Sequence, residues 1–140
     1  MALNLSKFAT KDSDALHLRN PATDELLYDE VANADGSVTK LPVEIVVNGP
    51  SSPAYRNAIT AMQNRMIKRG KQKQSAEAMR EEGIDLLVAC SVKANNLVLP
   101  DGSPIDNDAA FKKLYSDPQF GWLKDQVDAG LGDVSNFLGK

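Results

Sequence analysis

In the first third of the chain, apolar residues alternate with polar ones. Beyond residue 52 they recur every three or four positions. Val43, Ile45 and Val47 alternate with Glu44 and Val46, a period-two pattern of β-branched residues that predicts a strand over 38–47. Pro42 inside it predicts a bulge or an edge position, because proline cannot donate to a ladder. Upstream, 15–19 (ALHLR) and 25–29 (ELLYD) read as short strands on either side of the turn residues 20–24 (NPATD), and 33–37 (NADGS) as a second turn. These pieces predict a small antiparallel sheet.

The helical pattern begins at Ser52, a side-chain cap followed by Pro53 at a first position that needs no N–H. Tyr55, Ala58, Ile59, Met62 and Met66 fall on one stripe, and Gly70 weakens the end of that helix. Ser75 is placed to cap a second helix reaching about residue 96. Met79, Leu86 and Cys90 share one of its faces, and Ile84, Leu87 and Val88 widen it. A stripe that broad requires cover on most sides, from the chain itself or from a partner. Residues 97–105 read as a loop or loose hairpin about the Pro100-Asp101-Gly102 turn. Asp106 is the candidate cap of a short third helix with Phe111, Leu114 and Tyr115 inward. Asp117-Pro118 starts a fourth, whose stripe is Phe120, Leu123, Val127, Leu131, Val134 and Leu138, with Phe137 beside it. Gly130 and Gly132 each cost that helix about 1 kcal/mol of propensity, so packing must hold it. The expected class is α+β: a small antiparallel β-rich subdomain over 1–50, then a compact four-helix unit over 51–140, the two able to form one domain.

Composition changes this picture in two places. No apolar run approaches the ~20 residues that span a bilayer, and the opening MALNLSKFATKDSD lacks the basic-then-apolar order of a signal peptide. A single cysteine leaves no intramolecular disulfide to form. Charge is unevenly spread. Residues 1–50 hold four cations and eight acids, 51–75 six cations and no acid, and 76–140 six cations and eleven acids. The middle segment is the one electrostatic anomaly.

Candidate chemistry is sparse. The strand-to-helix joint NGPSSP imitates a phosphate loop, but it lacks the lysine of GxxxxGK[ST], and its prolines remove amide donors. His17 has no second histidine to share a metal with and reads as a surface or packing residue. Cys90, among Leu86, Leu87, Val88 and Val92, reads as core. Glu81-Glu82 reads as a solvated pair. Asp101, Asp106 and Asp108 lack the alternation and terminal glutamate of a calcium loop. No catalytic, cofactor or metal residue is therefore expected, and the chain is not expected to be an enzyme. Arg65, Lys68, Arg69, Lys71 and Lys73 could meet phosphates, but no aromatic is interleaved to stack on bases. They read first as a solvated helix end, then as a docking surface for an acidic protein or another subunit, and last as a nucleic-acid site. Met62, Met66 and Met79 either fill the core or offer an adaptable apolar contact beside those cations.

In order along the chain, LNLSKFATKDSDALHLRNPATDELLYD, VEIVVNGPSSPAYRNA, LLVACSV, LPDGSPI, LYSDP and SNFLG resemble the tail assembly chaperones of long-tailed bacteriophages, over nearly the whole length. The resemblance implies a non-enzymatic morphogenesis factor in the host cell cytoplasm, absent from the finished virion. Its partners would be the tape measure protein, which it keeps soluble, the tail tube protein, and further copies of itself. It also implies a longer product made by programmed frameshifting near 136–140. The alternatives are a structural tail or head-completion subunit, or a nucleic-acid-binding protein using 65–73.

Overall fold

The computed structural model describes residues 2–70 and 75–138. Among these are four α-helices and five strands in two antiparallel sheets, an α+β fold. Strand β1 (Ser13–His17) leads to β2 (Tyr28–Ala32) and β3 (Val38–Pro42), which form a hairpin of their own. Strand β4 (Glu44–Asn48) pairs with β1 on one side and on the other with β5 (Ser91–Asn95), giving the sheet order β1-β4-β5. The alternation over 43–47 translates directly into position. Val43, Ile45 and Val47 are buried while Glu44 and Val46 are half-buried, as expected of the central strand of a sheet covered on one face.

The predicted 38–47 strand is two strands in two sheets. At Val43 the chain passes from one sheet to the other. The Val43 amide donates to Leu27 O (3.1 Å), and Leu18 N–H donates to Val43 O (3.0 Å). Pro42 thus lies at a junction, where its missing donor costs no ladder bond. The strand expected over 25–29 begins instead at Tyr28. Asp24 takes a left-handed φ of 62°, and Leu26 and Leu27 bridge back toward the end of β1.

Ser52 caps α1 (Pro53–Arg69): its Oγ accepts from Tyr55 N (3.1 Å) and donates to Gly49 O (2.6 Å). Ser75 caps α2 (Ala76–Cys90). That helix does not continue to residue 96. Ser91 turns extended, its Oγ donates to Leu87 O (2.7 Å) and its amide returns to the last turn. The freed segment then satisfies the open edge of β4, whose amides and carbonyls need partners more than the helix needs another turn. The cap of α3 (Asp108–Ser116) is Asn107, whose Oδ1 accepts from Ala110 N (2.8 Å); the expected Asp106 instead accepts from the Asn107 side chain. The fourth predicted helix is divided. Asp117 caps a 3-10 turn (Pro118–Phe120), which runs into α4 (Gly121–Gly132) and a second 3-10 turn (Val134–Phe137).

One core joins both halves of the chain. Leu16, Ile45 and Val47 from the sheet, with Leu18 just past β1, meet Leu87, Phe111, Tyr115, Val127 and Phe137 from the helices and the last 3-10 turn. Since β5 also comes from the helical half, the 1–50 and 51–140 segments share a sheet as well as a core.

Candidate functional site

Of the four α-helices, the one least absorbed by this core is α1. None of its residues is fully buried; it packs chiefly on α2. The expected stripe is present, with Tyr55, Ala58, Ile59, Met62 and Met66 all half-buried. Ala58 and Ala61 face Leu86 and Ala89 of α2 across a hollow of about 230 Å³. Small residues on both helices allow this approach while leaving the interface incompletely filled. Near the far end Ile67 is 77% exposed, and Met79 on α2 is 44% exposed.

A charge cluster fastens the two helices. Arg65 and Arg69 are four residues apart and so lie on one face of α1. Arg65 grips Glu82 with two nitrogens, Nε at 3.1 Å from both carboxylate oxygens and Nη2 at 2.8 Å from Oε2. Arg69 Nη2 donates to Oε1 at 3.1 Å. Glu82 is only 5% exposed, which corrects its reading as a solvated residue: a carboxylate is tolerated there because two guanidinium groups satisfy it. The Arg65 hydrogen bonds hold its carboxyl below the ordinary glutamate range, with Arg69 assisting and burial opposing. Arg69 Nη1 is buried and meets no acceptor among the described residues.

The structure therefore divides the predicted docking residues. Arg65 and Arg69 converge on Glu82, and Lys68 is exposed with no ion pair among the described residues. Lys71 and Lys73 lie outside the described residues. Met62 and Met66 line the half-covered stripe, and Met79 stands open on α2. The sequence reading missed Glu82, although its position carries a signal. It falls three residues after Met79 and four before Leu86, on the apolar stripe itself, where an acid signals a buried partner.

The other chemical candidates are absorbed by structure. His17 Nε2 lies 2.7 Å from Leu27 O and so carries the proton it donates; the ring meets Tyr28 edge-on at 5.0 Å. Burial pushes the Cys90 thiol up to about 11 and Tyr115, whose hydroxyl pairs with Ser91 at 2.7 Å, up to about 12. Neither ionises at neutral pH. Asp101 accepts from Ser103 N and pairs with Lys113 at 3.6 Å. No group of three or more His, Cys, Asp or Glu among the described residues could hold a metal ion, and none of their helices is long and apolar enough to cross a membrane. The sequence matches no protein-family model, and neither a curated protein nor a solved structure matches it.

Proposed function

We propose that this chain is a tail assembly chaperone of a long-tailed bacteriophage. In this reading it works by protein contact alone, binding the tape measure protein in the host cytoplasm and helping to bring tail tube subunits to it. The observation that carries the reading is α1, a 17-residue helix with no fully buried residue. Its stripe is half covered by α2, and the rest of that stripe can accept an amphipathic helix laid alongside. Apolar area removed from water stabilises such a contact by roughly 25 cal/mol per Å², and Met62, Met66 and Met79 can repack against successive client segments of different shape. The ordered run of segments that resembles the tail chaperones supports the same reading. Because Glu82 engages Arg65 and Arg69, the cationic face is better suited to protein contact than to a phosphate backbone.

Co-expression with the tape measure protein tests this. The chain is expected to raise the soluble yield of its client severalfold, and Ile67→Glu with Met79→Glu, both at exposed positions, are expected to abolish the gain. An unchanged yield would count heavily against the proposal. Stoichiometric chain in purified mature tails would favour a structural subunit instead.

A further inference from the structure

We propose that β1 is a docking edge for an extended, basic segment of a partner protein, which adds to the sheet as a further strand. This contact is independent of the chaperone reading. The register decides which way the backbone of β1 faces. Gly49 N–H donates to Asp12 O (2.7 Å) and Leu18 N–H to Val43 O (3.0 Å), at the two ends of the β1–β4 ladder. Bonded and non-bonded pairs alternate along an antiparallel ladder, and Ser13 lies opposite Asn48. Asp14 and Leu16 are therefore bonded to β4, whereas the amides and carbonyls of Ser13, Ala15 and His17 point to the other side. There β1 is the edge of its sheet, and these groups meet no partner among the described residues.

Both ends of that edge are closed. The Lys11 amide donates to Phe137 O. The Arg19 amide donates to Gln126 Oε1 (2.7 Å), and Gln126 Nε2 donates to Arg19 O (2.8 Å), so this side chain bonds as a residue of a neighbouring strand would. Between the two closures a cleft of about 470 Å³ separates the edge from α4, with Ala15 and His17 on one wall and Ala129 and Gly130 on the other. Unpaired amides and carbonyls along an edge are a template for another strand. The opposite edge, β5, shifts register against β4 between Val46 and Val47, an irregularity of the kind that discourages pairing.

Charge identifies the occupant. Around the cleft, Lys11 pairs with Asp14, Arg19 with Asp24 and Lys124 with Asp128. Asp12, Asp125 and Asp133 are exposed and have no ion pair among the described residues. Asp125 and Asp133 stand one turn before and after Ala129, on its face of α4. Asp12 precedes Asp14 by two residues, on the side of the strand from which Leu16 meets Gly130. A strand seated in the cleft turns every second side chain toward these acids. Lysine or arginine therefore recurs at alternate positions of the occupant, with β-forming residues between them beside Ala15 and His17.

Selection of a displayed library of random short peptides on the full chain tests this. Lysine or arginine is expected at alternate positions of the selected sequences. A selected peptide is expected to slow amide exchange at Ser13, Ala15 and His17. Methylating the peptide amides that face β1 is expected to abolish binding, while methylating the alternate set leaves it intact. Ala15→Pro removes an outward amide and no bond to β4, and is expected to weaken binding by about tenfold. Asp12→Asn combined with Asp125→Asn is expected to weaken it by roughly threefold. Circular dichroism checks that each variant folds, and the methylated peptides decide the matter with the protein unaltered. A selection without basic alternation, peptides that protect other amides instead, or two methylated sets that bind alike each overturn the proposal. Self-association that protects these same amides overturns it too, by giving the edge to a second copy.

Discussion

Gly130 and Gly132 stand two residues apart in α4 and look alike as breaks in helix propensity, yet their surroundings separate them. A Cβ on Gly130 would lie 2.7 Å from Leu16 Cδ1, so the glycine is what lets α4 rest on β1; a Cβ on Gly132 would meet nothing. Gly130→Ala is expected to cost a net ~1 kcal/mol, overpacking outweighing the helix propensity gained. Gly132→Ala is expected to stabilise by about 0.5 kcal/mol. Thermal unfolding checks both, as shifts of opposite sign. The same contrast holds for Glu81 and Glu82, of which only Glu82 is buried. Glu82→Gln is expected to cost about 1–3 kcal/mol at neutral pH, toward the lower figure because Arg65 is half-exposed. Its pH dependence has a definite sign. The folded carboxyl, held down first by Arg65 and then by Arg69, releases its proton more readily than in the unfolded chain. Its contribution is therefore fully present above the ordinary glutamate value of about 4.3 and is lost as pH falls through the lowered folded value. Stability curves of wild type and Glu82→Gln should converge in acid; a gap unchanged at low pH would show that the carboxylate's charge is not what matters.

Among the elements, α1 and α4 have comparable apolar stripes on paper and different fates. Leu123, Val127 and Leu131 of α4 are buried, whereas α1 has no buried residue. Amide exchange is therefore expected to be faster in α1 than in α3 and α4, since local opening of α1 exposes little apolar surface. Equal protection across the helices would indicate that α1 is held by more than α2 and the Glu82 cluster. Local signals at Ser52, Pro53 and Ser75 placed the starts of α1 and α2 well, and Asp117 that of the 3-10 turn ahead of α4, because capping depends on a few neighbouring atoms. The end of α2 was illegible for the complementary reason. Ser91–Asn95 is compatible with a helix, and only the vacant edge of β4, more than forty residues upstream, turns it into a strand. The Glu82 cluster likewise joins residues 13 and 17 positions apart.

At the scale of the whole molecule, Cys90 reports on the shared core. It is fully buried where α2 meets β5, and its thiol is kept protonated by burial. Labelling by a thiol reagent at neutral pH is expected to proceed only through global unfolding and to follow the denaturation curve. Fast labelling of the native protein would mean that this junction opens by itself. The chain by itself determined the α+β class, the strand alternation over 43–47, the starts of α1 and α2 and the apolar stripes, because period and capping act over a few residues. It also placed Arg65, Lys68 and Arg69 near the end of α1. Tertiary structure alone decided that the 38–47 run divides between two sheets, that the helical half returns a strand to the first, and that two of the cations close on Glu82. It likewise decided which surfaces stay open, on α1 and along the outer edge of β1. Burial is a property of what the rest of the chain covers, and no local pattern contains that information.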